Sequence, residues 1–254
     1  MYDTIIIGAG FAGLAAAKAL VDKGQDNFLV LEARDRVGGR TKPGKIAGLD
    51  IDLGGMWLGP TQTRLKSWAE ELQVQTYSTP MEGKGCFRIN GKNYQGEGEE
   101  FDGLFNLLEG ADYLNVQRKL NKLMEPLNCD AHWEHPQATE LDAMTVEQWL
   151  QNNVRTERMR ILYRLICFSL FCAEASQMSM LFFLHYVKSG DGFDIILSAL
   201  GDGAQRHLFH GSVHQIARKI GEELRERLHL SEPVQEISWN DDGVTVISAK
   251  GTYQ

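Results

Sequence analysis

Gly8, Gly10 and Gly13 stand at the spacing G-x-G-x-x-G, and an acid, Glu32, follows nineteen positions after the last of them. Glycines so spaced at a helix start leave backbone N–H groups bare, and the helix dipole behind them favours negative charge. Gly8 permits a tight turn, Gly10 admits a phosphate where a β-carbon would collide, and Gly13 lets the helix pack closely on the preceding strand. A carboxylate at the position of Glu32 can accept hydrogen bonds from ribose hydroxyls, which favours a free 2′-OH over a 2′-phosphate. The chemistry these residue types serve is the holding of a dinucleotide by its diphosphate and ribose. The spacing leaves NAD and FAD both open.

The elements that must position these residues are legible on either side. Tyr2 to Ile7 is an apolar, β-branched run of strand type, Leu14 to Lys23 is an alanine-rich helix, and Phe28 to Leu31 reads as a second strand that delivers Glu32 at its end. A glycine turn alone is often only a turn. The strand before it, the helix after it and the acid at the expected distance give it a ligand.

The next residues narrow the choice. Glu32-Ala33-Arg34-Asp35-Arg36-Val37-Gly38-Gly39-Arg40-Thr41 and then Asp50-Ile51-Asp52-Leu53-Gly54-Gly55-Met56-Trp57-Leu58-Gly59-Pro60-Thr61-Gln62 resemble the extended fingerprint of the FAD-dependent amine oxidases, with a match close to the monoamine oxidase branch. Weaker likeness runs on through Ala173 to Ser179, Phe182 to Lys188, and Gln205 ahead of Gly211. The resemblance implies an α/β fold: a Rossmann-like FAD-binding domain of the GR2 type with an inserted α+β substrate domain. It implies a first FAD-binding segment over residues 1–77, a mostly helical substrate segment over 78–207, and a return to the FAD-binding domain over 208–254. It further implies FAD as cofactor, with Gly8, Gly10, Phe11, Ala12 and Gly13 at the diphosphate and Glu32 and Ala33 at the ribose. Arg34, Gly39 and Arg40 then surround the adenosine and phosphates, and Gly55, Met56 and Trp57 lie near the flavin. Val234, in Glu232-Pro233-Val234, matches a valine whose backbone touches the adenine, and Leu197 and Gln205 match positions lining the substrate cavity. The pattern departs from the family where paired glycines are usual, because His210 precedes Gly211, and His214 follows nearby.

What the resemblance implies for function is oxidation of a small-molecule amine to an imine. The imine hydrolyses to carbonyl and ammonia, while molecular oxygen is reduced to hydrogen peroxide. Family members continue for a comparable length beyond the point matching Gln254. The C-terminal half of the family fold is therefore expected to be absent, with a second chain as one source of the missing half, and a sheet edge left open there invites association. The lysine that helps hold a water near the flavin in relatives, and the aromatic pair that flanks the amine, cannot be assigned in this chain, so no catalytic residue is named. A non-catalytic FAD-binding or partner-binding subunit is the competing reading, and desaturation of a carotenoid-like or tetrapyrrole substrate a third.

Composition sets the outer limits. With 43% apolar residues, 24% charged and six prolines among 254 residues, the chain has the make-up of a globular enzyme domain. A formal charge of -8 with lysines and arginines scattered gives no footprint for nucleic acid. No apolar run reaches the roughly 18 residues needed to span a bilayer, and the start at the first strand leads to the expectation of a cytoplasmic location. Cys86, Cys129, Cys167 and Cys172 show neither C-x-x-C spacing nor a paired histidine pattern, so a metal site is not expected, and they read as reduced, mostly buried thiols.

Elsewhere the pattern predicts helices over Thr61 to Leu72, Leu104 to Met124, Thr145 to Asn152 with Thr145 as N-cap, Glu157 to Phe171, and Ser212 to Leu228. Leu162 to Phe171 and Met178 to Val187 are rich in Leu, Phe and Met, as buried helix core or a cavity wall would be. Hairpins are predicted around Asn90-Gly91 within Phe87 to Tyr94, and around Asn240-Asp241-Asp242-Gly243 between Leu230 to Trp239 and Val244 to Ala249.

Overall fold

A computed structural model of the protein describes residues 1–89, 91–101, 104–241 and 243–254. Asn90 and Asp242, central to the two expected hairpin turns, lie outside the described residues, although the strands on either side pair. The chain divides into two compact units, one of residues 1–58, 62–79 and 207–254, the other of residues 59–61 and 80–206.

The first unit opens with β1 (Thr4–Ile7), α1 (Phe11–Asp22) and β2 (Phe28–Leu31). β1 and β2 pair in parallel with Thr4 opposite Phe28 and Ile7 opposite Leu31. All four residues of β2 are buried, as an unbroken apolar run in the middle of a parallel sheet requires. A hairpin of β3 (Pro43–Ile46) and β4 (Leu49–Asp52) follows, then α2 (Thr63–Glu71) and β5 (Thr76–Ser78). α1 begins three residues before the predicted start, because Gly10 takes the N-cap position and the helix opens at once.

The second unit begins with an antiparallel sheet of β6 (Lys84–Ile89), β7 (Lys92–Glu97) and β8 (Glu100–Phe101). Helices α3 (Leu107–Met124), α4 (Ala138–Ala143), α5 (Val146–Asn153), α6 (Glu157–Phe171), α7 (Met180–Ser189) and α8 (Phe193–Ile196) complete it. Thr145 caps α5 as expected, through a reciprocal box with Gln148, and Asn106 does the same for α3 with Glu109. The entry to α6 is held by a neighbouring helix: Asp112 of α3 accepts the backbone N–H groups of Arg155 and Thr156 at 2.9 and 2.7 Å. Val116, Leu120, Trp149, Met159, Tyr163, Met180, Phe183 and Leu184 are among the residues of its core.

The chain then returns to the first unit with β9 (His207–Phe209), α9 (His214–Glu223), β10 (Leu228–His229), β11 (Val234–Asn240), β12 (Gly243–Ser248) and β13 (Thr252–Tyr253). β9 pairs with β5, β10 adds to β2 in parallel, and β11, β12 and β13 form an antiparallel sheet. Ile216, Ile220 and Leu224 are all buried, on the face their spacing predicts.

α9 is shorter than predicted and stops at Glu223. Leu228 is needed opposite Val30 in the parallel sheet, while the Arg227 guanidinium bonds Asp26, so tertiary pairing ends the helix against its local propensity. The strand expected from Leu230 starts only at Val234, because Pro233 has no N–H to give to a ladder. The cysteines are free, but the expectation that most are buried is wrong: Cys86 and Cys172 are exposed and only Cys167 is fully buried.

Candidate functional site: a cradle of glycine turns

The first glycine turn closes where the N–H of Gly8 donates to the Leu31 carbonyl at 2.7 Å, with Gly8 at φ +99°. At Gly13 a side chain is impossible, since a β-carbon there would lie 1.9 Å from the Gly8 carbonyl oxygen. Gly10 is different. A β-carbon there would meet nothing nearer than the Gly39 Cα at 3.9 Å, so the space beside it is open. Gly10 also brings no side-chain cap to α1, and no acid stands in its first turn. The backbone donors of Phe11, Ala12 and Gly13 are thus left for an external acceptor.

Glu32 sits directly under this turn and is only 4% exposed. One carboxylate oxygen accepts the N–H of Ala9 at 2.7 Å and the other the N–H of Arg34 at 2.9 Å, with the Arg34 guanidinium 3.9 Å away. A carboxylate offers about four lone-pair sites, so two backbone bonds leave capacity for a diol. Glu32 therefore braces the glycine turn as well as offering itself to a ribose, a structural role the spacing alone did not reveal.

The second glycine turn folds onto the first. The N–H of Gly38 donates to the Ala9 carbonyl at 2.8 Å, and a β-carbon on Gly39 would stand 3.2 Å from the Gly10 Cα. Gly38 and Gly39 both have positive φ, at +89° and +54°. The arginine holding this loop is Arg36, not one of the expected ones: its guanidinium donates to the carbonyls of Val37 at 3.1 Å and Gly39 at 2.9 Å. Arg34 and Arg40 are exposed, and the Arg40 side chain makes no hydrogen bond or ion pair among the described residues, which leaves it available to a ligand.

The third motif is tied to the second. The N–H of Leu53 donates to the Lys42 carbonyl at 2.8 Å and that of Gly55 to the Arg40 carbonyl at 3.3 Å. A β-carbon on Gly54 would lie 2.0 Å from the Arg40 carbonyl oxygen, so glycine is obligatory for that approach. Gly55 is exposed, Met56 half-buried and the Trp57 indole 41% exposed. Asp52 accepts from the Ser212 hydroxyl at 2.5 Å, which links β4 to the start of α9. Burial raises the Asp52 carboxyl above its ordinary value, against the bonds from Ser212 and Val213 and the charge of His214.

Ala33, next to Glu32, is exposed. Val234 is half-buried and packs against Leu29, Leu31 and Val246, at the start of β11. Leu197 and Gln205 belong to the second unit, where Leu197 packs on the helical core and the Gln205 amide donates to the Ile196 carbonyl at 3.2 Å. His210 is exposed with its ring 4.7 Å from that of Tyr77. Among the described residues no cluster of ligands suited to a metal occurs, and no helix is long and apolar enough to cross a membrane.

A family model described as flavin containing amine oxidoreductase matches residues 11–253. Flavin-containing amine oxidase A of Canis lupus familiaris is 35% identical over 247 residues, covering 97% of this chain and 46% of that protein. A probable flavin-containing monoamine oxidase A of Dictyostelium discoideum is 33% identical over 258 residues, covering 100% and 56%. Among solved structures, cyclohexylamine oxidase from Brevibacterium oxydans IH-35A superposes with a TM-score of 0.87 at 33% identity, over 99% of this chain and 56% of that one. Putrescine oxidase bound to putrescine gives 0.87 at 30% identity, over 98% and 55%. The chain spans about half the length of the curated relatives it matches.

These relatives are flavin-containing by name, and the residues present fit FAD: an open face at Gly10, unclaimed amides at a helix start, and a buried acid with spare acceptor capacity. The chain belongs to the flavin-containing amine oxidoreductase family.

Proposed function

We propose that this chain is the FAD-holding portion of an amine oxidase that converts an amine to an imine, and so to carbonyl and ammonia, with oxygen reduced to hydrogen peroxide. The observation that carries the proposal is the stacking of three glycine motifs around the open face of Gly10, with Glu32 fastened beneath. Gly8, Gly10, Phe11, Ala12, Gly13 and Gly39 hold the diphosphate, Glu32 and Ala33 the ribose, and Arg34 and Arg40 the adenosine and phosphates. Val234 meets the adenine, and Gly55, Met56 and Trp57 lie by the flavin ring. When bound, the flavin supplies the electron acceptor for oxidation of the amine's α C–H.

In this reading residues 1–77 and 208–254 serve the cofactor and residues 78–207 the substrate. Leu197 and Gln205 are the substrate-lining residues, and the exposed Phe168, Phe182 and Tyr186 of α6 and α7 supply apolar wall. A dry wall of this kind favours the neutral amine over the ammonium form. The rest of the site comes from polypeptide outside this chain, continuous with it or a second chain. A cytoplasmic setting is favoured by the four free cysteines.

The test is to isolate the native species that contains this chain and to challenge it with primary, cyclic and polyamine substrates. Bound flavin that bleaches with an amine under anaerobic conditions, with peroxide released on readmission of oxygen, is the expected result. Bound flavin indifferent to every amine would favour a non-catalytic FAD-binding subunit.

A further inference from the structure

His214 stands at the first position of α9. Its Nδ1 lies 3.0 Å from the Thr41 carbonyl oxygen, and its backbone N–H donates to the Ser212 hydroxyl at 3.1 Å. The imidazole also lies flush against the second glycine turn, since a β-carbon on Gly38 would be 2.7 Å from Nδ1 and 3.1 Å from Cε1. Ser212 is itself anchored, at φ +79°, by its bond to Asp52. One ring thus joins the helix start to both ends of the Gly38–Thr41 turn, and that turn rests on Ala9 and Gly10.

We propose that His214 is a positioning residue for the dinucleotide, acting through the Gly38-Gly39-Arg40-Thr41 turn that it clamps against the first glycine turn. This deepens the FAD-holding reading and rests on it. Two successive glycines with positive φ have little conformational preference of their own, so their order must come from what they touch. Arg36 holds the loop from within, and His214 holds it from the opposite element. The groups facing the imidazole are Arg36, Arg218 and Asp52. Burial, with the two arginines, keeps the ring below its usual titration range against the Thr41 carbonyl and Asp52, so at neutral pH it is uncharged and donates from Nδ1.

The test compares His214→Leu with His214→Asn in the whole chain. The Asn amide can place a donor close to the position of Nδ1, and Leu cannot. Two quantities are read: FAD affinity by equilibrium titration, and hydrogen exchange at the amides of residues 38–41 without FAD, with Leu29 to Leu31 as an internal control. H214L is expected to weaken FAD binding about tenfold, the size of one lost buried hydrogen bond. It also speeds exchange at residues 38–41 and leaves the control amides unchanged, and H214N restores both. Wild-type affinity and exchange in H214L, or failure of H214N to rescue, would overturn the assignment. Absence of FAD binding in the wild-type chain would instead contradict the claim that this cradle suffices to hold the cofactor, while the exchange data still decide whether His214 orders the turn. Should H214L not fold, His214→Gln, whose donor lies one carbon further out, makes the same comparison with H214N.

Discussion

The Glu32 carboxylate and the Ala9 N–H meet at 2.7 Å, so the acid offered to the ribose also holds the turn that faces the diphosphate. Glu32→Ala therefore removes two functions at once. FAD affinity should fall by about 1.5 to 3 kcal/mol, the range for hydrogen bonds to a charged group. Glu32→Gln, which can still accept one backbone bond, should lose less. Equal affinity of wild type and E32A in a flavin titration would remove Glu32 from the site.

Gly10 and Gly13 separate the cost of folding from the cost of binding. Gly10→Ala adds a methyl into open space and should leave thermal stability without FAD nearly unchanged while abolishing FAD retention. Gly13→Ala drives a methyl to 1.9 Å from the Gly8 carbonyl oxygen and should destabilise the chain by about 1 to 3 kcal/mol or more without any ligand. Denaturant unfolding of both variants without FAD checks this. Equal destabilisation would show that Gly10 is structural.

Much of this was legible in the sequence because it is local. β2 is an unbroken run, Phe28–Leu31, and G-x-G-x-x-G fixes a turn within six residues. Val146–Asn153 announces itself by its Thr145 cap. The hairpin Pro43–Ile46 with Leu49–Asp52 went unread because its strands are four residues long, have no buried residue and carry Gly44, Lys45 and Asp50, so no alternation of polarity marks it. Three residues of the cradle were also missed in these roles, Arg36, Ser212 and His214, and the last two act across the fold, with Ser212 reaching a partner 160 positions away. Arg36 alone carried a local signal, as the basic residue three places before the Gly39 carbonyl that it binds.

Acid should destabilise the chain earlier than carboxylate titration alone explains. His185 and His214 are both held below the ordinary value of 6.5, His185 by burial and then by the charge of His132. Below 6.5 the unfolded chain thus binds more protons than the folded one, and stability falls with pH until the folded-state values are passed. Glu147 and Glu232, both lowered from 4.5, add a second loss at lower pH. Melting temperature should decline between pH 7 and 5.5, with a shallower slope in H214N. A flat profile there would contradict the half-buried, neutral imidazoles.

Thiol reactivity should divide the cysteines by exposure. Cys86 and Cys172 are open to solvent, whereas burial, assisted by the charge of Glu147, pushes the Cys167 thiol up to about 12. Short exposure to an alkylating reagent at neutral pH, read by mass spectrometry, should label Cys86 and Cys172 first and Cys167 only on unfolding. Early modification of Cys167 would contradict the packing of α6.

The central claim is that these residues form a working FAD cradle. It is tested most directly by the visible spectrum of the purified chain after incubation with FAD and removal of the unbound excess. A retained flavin band, lost in Gly10→Ala, is the predicted result. A colourless wild-type chain of undiminished folded stability would contradict the claim that the cradle suffices to hold the cofactor.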